Sequence, residues 1–210
     1  MKGDPTLKLS QKQQQIVSHK DGALLVEAGP GSGKTRVLIE RIKFLLSSTK
    51  RGKILALTFS NLAADEMKER LSEDQSFEEQ VDRVTVGTIH SFCLDLVQSR
   101  GNLIGLDTDM VLFENEEDRR TLLKEVFIEN PQLKDFLAQY DDKSKVFQRV
   151  LQLITEQKKS FVLPEDCAVS APFPFIYSEY NSKLLDQNAM DFDDILFFAC
   201  LLYTSPSPRD

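Results

Sequence analysis

The chain is poor in the residues that build metal and disulfide frameworks. It has three cysteines, Cys93, Cys167 and Cys200, and two histidines in 210 residues, with no Cys-x-x-Cys pair. That spacing suggests neither a disulfide scaffold nor a zinc site, and it points to a reducing compartment such as cytosol or nucleus. Basic charge is not in excess either. The formal net charge is -7, which excludes a protein that coats nucleic acid with its whole surface, so any nucleic-acid site has to be local. No apolar run approaches membrane-spanning length, and Met1-Lys2-Gly3-Asp4-Pro5 lacks the apolar core of a signal peptide, so no membrane association is expected. The acidity is one-sided: residues 1–110 carry 15 basic and 15 acidic side chains, residues 111–199 carry 10 and 17. Two modules are expected from that asymmetry.

What is present is a glycine-rich turn between an apolar run and a helix. Leu24-Leu25-Val26-Glu27 leads into Ala28-Gly29-Pro30-Gly31-Ser32-Gly33-Lys34-Thr35, the strand, loop and helix order of a phosphate-binding loop. Gly29, Gly31 and Gly33 remove side chains where backbone N–H groups must curl round an anion, with the positive end of the helix dipole behind them. Lys34 is placed to reach the β- and γ-phosphates, and the Thr35 hydroxyl to take a position on Mg2+. Ala28 stands where the strict pattern has Gly. Upstream, Leu9-Ser10-Gln11-Lys12-Gln13-Gln14-Gln15-Ile16-Val17 reads as a helix capped by Ser10. Its glutamines are either a solvated face or include an amide able to pair bidentately with an adenine edge.

Downstream, Arg36 to Leu46 places Leu38, Ile42, Leu45 and Leu46 on one stripe of a helix. Ile54-Leu55-Ala56-Leu57-Thr58-Phe59 reads as a buried parallel strand. Ser60 or Asn61 caps a helix to Leu71 with Leu62, Met67 and Leu71 inward, and Asp74 to Gln80 forms an acidic connector. Val84 to Ile89 reads as a third strand, and His90-Ser91-Phe92 leads into a helix ending before Gly101. Strand and helix thus alternate three times, which predicts a layered α/β domain. From about Leu106 the pattern becomes helical. Glu116 to Glu129, an interruption at Asn130-Pro131, Lys143 to Lys159 and a stretch to Asn188 make an acidic all-helical module. Asp191-Phe192-Asp193-Asp194 reads as a solvated helix N-terminus rather than a metal cluster or acid/base pair.

Two strand ends carry similar groups, where ligands sit in open α/β sheets. Phe59 and Phe92 are either core or surfaces for stacking bases. Thr58, Asn61, Thr88, His90 and Ser91 can donate to a nucleic-acid backbone. A single His without a partner Cys, Ser or Asp series is no nucleophile relay.

In this order, these segments resemble the UvrD/Rep/PcrA-type superfamily 1 helicases from Leu9 to Ala199. Leu9-Ser10-x-x-Gln13 is similar to the family's adenine-reading Q motif, Ala28 to Thr35 to motif I, Thr58 to Ala64 to motif Ia, and Val86 to Phe92 to motif Ib. Met190 to Leu196 is similar to the segment that returns from a helical insert. The resemblance implies a RecA-like domain 1A over residues 1–105 with an incomplete parallel sheet, an inserted helical subdomain 1B over 106–189, and a return to 1A over 190–199. It implies an ATP- and Mg2+-dependent helicase or translocase on single-stranded or partly duplex DNA, typically 3′ to 5′. The nucleotide-binding set it suggests is Gln13, Ala28, Gly29, Pro30, Gly31, Ser32, Gly33, Lys34, Thr35 and Arg36, with Lys34 and Thr35 closest to the chemistry and Thr35 on Mg2+. The DNA-binding set is Thr58, Phe59, Asn61, Thr88, His90 and Ser91.

The chain departs from the family pattern at Leu62, where the family usually has Lys, and at Ser10, where it usually has Asn. Motif II is not found: Asp65-Glu66 falls inside a helix, and Glu116-Glu117-Asp118 follows no buried strand of the needed kind. Hydrolysis needs such a strand-end pair, so this chain is expected to be a fragment inactive by itself. The stretch Cys200 to Asp210 can be encoded by the adapter of transposase-based sequencing libraries and is expected to be foreign to the natural protein. A P-loop ATPase or kinase not acting on DNA, and the helicase half of a helicase-nuclease, remain the alternative readings.

Overall fold

A computed structural model describes residues 8–73, 80 and 82–204. All of the expected acidic connector except Gln80, and the last six residues of the expected foreign tail, lie outside them. Two compact units are present, residues 1–89 and 90–210.

In the first unit, α1 (Gln11–Ser18) begins at a capping box. The Gln13 N–H donates to the Ser10 hydroxyl at 3.3 Å, and the Ser10 N–H donates to the Gln13 side-chain oxygen at 2.8 Å. Helix α2 (Lys34–Ser48) opens after Gly33, whose φ of +82° favours a residue without Cβ. Strand β1 (Ile54–Thr58) pairs parallel with β2 (Val84–Thr88), from Ile54 opposite Val84 to Thr58 opposite Thr88. Between them lies α3 (Asn61–Ser72), capped by Ser60, whose hydroxyl accepts from the Ala63 N–H at 3.2 Å. Arg83 ties the start of β2 to the turn before β1 by donating to the carbonyls of Gly52 and Thr49 at 3.1 and 2.8 Å. The core is Ile39, Ile42 and Leu46 of α2, Ala56 of β1, and Met67 and Leu71 of α3.

Several expectations are corrected here. Leu24-Leu25-Val26 forms no strand, and Leu25 is 85% exposed. A strand exists through its ladder, and among the described residues the only ladders are β1–β2 and one in the second unit. Strand β1 is covered on one face only: Ala56 is buried under the helices while Leu55 and Leu57, on the opposite face of the pleat, are exposed. In α2 the inward stripe is Ile39, Ile42 and Leu46, with Leu38 exposed. In α3 it is Ala64, Met67 and Leu71, spaced i, i+3, i+7, which leaves Leu62 outside that stripe and 81% exposed.

The second unit contains α4 (Ile89–Arg100) from His90 onward, β3 (Val111–Phe113), α5 (Glu116–Glu129), α6 (Pro131–Ala138), α7 (Lys143–Lys159), α8 (Phe173–Asp186), β4 (Ala189–Asp191) and α9 (Phe192–Thr204). The bounds of α5 and α7 match the sequence reading. Asn130 accepts from the Gln132 N–H and Pro131 occupies the first helical position, so the interruption there is the start of α6. Leu122, Leu123, Phe127, Ile154, Ile176 and Tyr180 lie at the centre of one core. A second packs Val97 of α4 against Met190, Ile195 and Ala199. The unit is mostly but not wholly helical, which corrects the all-helical expectation. Strands β3 and β4 pair parallel from Val111 opposite Ala189 to Phe113 opposite Asp191. Three-residue strands are too short to show a period, so only their partner reveals them. Helix α9 continues through Thr204, and Leu202 packs on the second core.

The packing phase of α3 is open to test. Met67→Ala should cost about 2–5 kcal/mol in urea unfolding, and Leu62→Ala less than about 0.5 kcal/mol. Equal losses would contradict this orientation of the helix.

Candidate functional site

The glycine-rich loop lies on the surface, every residue from Asp21 to Ser32 being exposed. Gly31 (φ +72°) and Gly33 (φ +82°) give it its curl. The Ser32 hydroxyl closes the turn by donating to the Gly29 carbonyl at 2.8 Å. The Lys34 ammonium folds across the loop and donates to the carbonyls of Ala28 and Gly29 at 3.0 and 2.8 Å. Helix α2 thus begins with a cation. It has no side-chain cap and no acidic residue in its first turn, where Thr35 and Arg36 are half-buried. An arrangement of exposed loop, exposed ammonium and uncapped helix N-terminus is suited to a polyphosphate.

Gln13 reaches this loop. Its Nε2 donates to the Ser32 carbonyl at 3.2 Å, while its Oε1 accepts from the Ser10 N–H. A carboxamide has two N–H donors and two acceptor lone pairs, so one of each remains for a base edge. Arg41, on α2, was not singled out from sequence. One of its terminal nitrogens donates to the carbonyls of Ile16, Val17 and His19 at 2.9, 3.2 and 2.8 Å, where α1 ends. An arginine within an amphipathic helix reads as polar face, and no local pattern marks its target.

At the strand ends, Phe59 is 96% exposed, which removes the core reading for it. Ladder register sets Thr58 opposite Thr88, both half-buried. Asn61 is the first residue of α3 and exposed. In the second unit, His90 and Ser91 lie in the first turn of α4. The His90 ring is stacked on Phe192, with centroids 4.5 Å apart and planes at 18°. Phe192 stands among acidic neighbours that dominate the local pattern in the sequence; its ring is exposed.

Those neighbours are not solvated, which corrects the reading of Asp191 to Asp194. Asp191 and Asp194 are buried and reciprocally cap α9. Asp191 Oδ1 accepts from the N–H groups of Asp193 and Asp194 at 3.0 and 3.1 Å, and Asp194 Oδ2 accepts from the Asp191 N–H at 2.9 Å. Between them sits the Lys158 ammonium, 3.0 Å from Asp191 Oδ2 and 2.7 Å from Asp194 Oδ1, on a residue only 2% exposed. The Tyr180 hydroxyl donates to Asp191 at 2.9 Å, and Arg119 lies 3.4 Å from Asp191 and 3.3 Å from Asp193. Thr155 donates to Asp193 at 2.5 Å. Burial pushes the Asp191 carboxyl up, but Lys158 and Arg119 outweigh it and hold its pKa below the usual value. For Asp194, burial wins over Lys158, with Asp191 adding to it, and the pKa is pushed up to about 6. Arg119, Thr155, Phe192 and Asp193 also line a cleft of about 470 Å³. Among the described residues no group of three or more His, Cys, Asp or Glu side chains could hold a metal ion, and no helix is long and apolar enough to cross a membrane.

Comparison with known proteins bears on these groups together. Residues 9–209 match the UvrD/REP helicase N-terminal domain. The chain is 33% identical over 204 residues to the ATP-dependent DNA helicase Rep of Escherichia coli, covering 93% of this chain and 29% of that protein. It is 32% identical over 205 residues to the ATP-dependent DNA helicase PcrA of Leuconostoc citreum, covering 94% and 26%. A probable DNA helicase II homolog of Mycoplasma capricolum is 30% identical, with 93% and 27% covered. The chain therefore spans between 26% and 29% of the length of these curated relatives.

The buried ammonium gives a signed pH test. Lys158→Met should cost about 3–5 kcal/mol near neutral pH, because Asp194 loses its cation and Asp191 keeps only Arg119. Both native carboxyl pKa values then rise relative to wild type, Asp191 less because Arg119 still faces it, while Asp194 moves further above the unfolded value. The stability contributed by Asp194 is fully present below the unfolded value of about 4 and is lost as pH rises through its raised native value. The deficit relative to wild type should shrink on acidification from neutral pH in urea unfolding; a constant deficit would contradict this role for Lys158.

Proposed function

Because the chain belongs to the UvrD/Rep helicase family, we propose that it is the ATP-cradling and DNA-contacting part of an ATP-dependent DNA helicase or translocase that moves 3′ to 5′ on single-stranded DNA in repair or replication. The observation that carries this reading is the loop from Ala28 to Gly33 with the Lys34 ammonium folded onto its carbonyls.

In this reading a triphosphate draws Lys34 away from the Ala28 and Gly29 carbonyls and takes the loop and first-turn N–H groups as donors. Gly29, Gly31 and Gly33 admit its close approach, Pro30 and Ser32 shape the turn, and Arg36 adds positive charge behind them. The residues present fit Mg2+ bound with the nucleotide: Thr35, following Lys34 in the first turn, would hold it, and the ion would supply neutralisation of phosphate charge. Gln13 reads adenine with its remaining N–H and lone pair. Adenine offers an acceptor and a donor there, whereas guanine offers two acceptors and sets oxygen against oxygen.

DNA is carried on the strand ends. Phe59 offers an aromatic face for base stacking, with Thr58, Asn61 and Thr88 as donors to backbone oxygens, and in the second unit Ser91 is a further donor. His90 and the newly recognised Phe192 form a second aromatic surface. Leu62 puts an apolar side chain where a cation would contact phosphate, so that position contributes nothing to the salt dependence of binding. Hydrolysis is not assembled by this chain. The carboxylates at the end of β4 and just after it, Asp191, Asp193 and Asp194, are engaged by Lys158 or Arg119. Among the described residues no strand ends in the Asp-Glu pair that would hold Mg2+ and orient water.

Removing the Lys34 ammonium in Lys34→Ala should weaken Mg-ATP binding by about 1.5–3 kcal/mol, the worth of a charge-assisted hydrogen bond; unchanged titration curves would sink its role. Phe59→Ala should weaken single-stranded DNA binding by about 1–3 kcal/mol, read by fluorescence anisotropy, and an unaffected affinity would remove the stacking surface from this reading. The 210-residue chain should show no DNA-stimulated ATP turnover, and robust turnover would contradict the missing hydrolytic pair.

A further inference from the structure

We propose that Arg41 is a positioning residue for nucleotide selectivity: it fixes α1, and with it Gln13, at a set distance from the phosphate loop. This rests on the reading of Gln13 as the adenine reader. Helix α1 has eight residues and none of them is buried. It is too short to be stable alone, and no apolar anchor sinks into the core. Two polar bridges hold its ends instead. At its start Gln13 donates to the Ser32 carbonyl, and at its end one Arg41 nitrogen collects the carbonyls of Ile16, Val17 and His19 within 2.8–3.2 Å.

The second bridge has the favourable sense, a guanidinium on the negative end of a helix and on carbonyls of its last turn, of which that of Ile16 also accepts from the His19 N–H at 3.4 Å. Arg41 also stands on α2, the helix whose first residues are Lys34 and Thr35. One rigid element therefore carries both the groups facing the phosphates and the clamp on the base reader. The separation between phosphate site and adenine edge is fixed by that helix, and the segment without regular structure between α1 and the loop does not have to set it. Lysine cannot reproduce the clamp fully, since its ammonium lies one bond short of the terminal nitrogen that reaches all three carbonyls.

Equilibrium binding of ATP, GTP and inorganic triphosphate, each with Mg2+, separates the roles in wild type, Gln13→Ala, Arg41→Ala, Arg41→Lys and the Gln13→Ala/Arg41→Ala double variant, with thermal melts alongside. Gln13→Ala should cut the preference for ATP over GTP by roughly 2- to 12-fold, the worth of one neutral hydrogen bond. Arg41→Ala should lower the same ratio with triphosphate affinity unchanged, Arg41→Lys should fall between, and the double variant should lose no more than the larger single loss. If Arg41→Ala does not fold, Arg41→Lys carries the comparison. A parallel fall in triphosphate affinity would make Arg41 a support of the fold alone and overturn the proposal. So would a ratio kept by Arg41→Ala but lost by Gln13→Ala. A ratio unchanged in Gln13→Ala would remove the adenine reading itself, and this proposal with it.

Discussion

The Lys158 ammonium, held away from water between Asp191 and Asp194, is the constraint on which the second unit depends. Taking an ammonium and two carboxylates out of solvent is expensive, and such a cluster is seldom more stable than apolar side chains of the same volume. Its effect is therefore one of placement. Charges buried together tolerate only arrangements in which every partner stays engaged, and here the partners come from α5, α7, α8, β4 and α9 through Arg119, Thr155 and Lys158, Tyr180, and the three aspartates. The peptide from Asp191 to Asp194 is fixed from several sides. Phe192, in the middle of that peptide, is thereby given one position, stacked on His90. A buried charge thus sets an exposed aromatic surface.

The first unit is organised in the opposite sense. Its small core of Ile39, Ile42, Leu46, Ala56, Met67 and Leu71 secures two helices on one sheet face. The groups of functional interest hang from that core by polar contacts on the outside, with Ser10, Gln13, Ser32 and Lys34 bonded among themselves and to loop carbonyls. Exchangeable hydrogen bonds are a suitable fastening for a site that must trade its partners for those of a ligand. Apolar anchoring would hold α1 more firmly and make its amide slower to respond.

The sequence was legible wherever the determinant is local. Ser10, Ser60 and the Asn130-Pro131 pair mark helix starts within three residues of where they act, and the periods of α5 and α7 are long enough to define their ends. The loop from Ala28 to Thr35 is recognisable because three glycines and a lysine at fixed offsets have few other uses. Legibility failed where the determinant lies far along the chain. Leu24 to Val26 has the composition of a strand, but a strand needs a ladder. Leu62 and Met67 look equally suited to the interior, and only the position of the sheet decides between them. Asp191 to Asp194 looked like a wet helix start because Lys158 and Arg119, which make burial tolerable, are 33 or more residues earlier. Arg41 was invisible for the same reason, its partners being backbone carbonyls.

The way α2 begins has a further consequence. Helices α1, α3, α6 and α7 each start on a side chain that accepts from one of their first N–H groups, Ser10, Ser60, Asn130 and Asp142 in turn, and α5, without such a cap, has three acidic residues in its first turn. Helix α2 starts on a glycine and then adds a lysine, placing a full positive charge where the backbone dipoles already concentrate one. That terminus repels itself, and the loop carbonyls gathered by Lys34 only soften the repulsion. Part of the affinity for an anion at this point is then relief of strain that folding has built in, independent of the anion's identity. Any oxyanion that fits completes the helix, and selectivity among nucleotides has to be added by groups that never touch a phosphate.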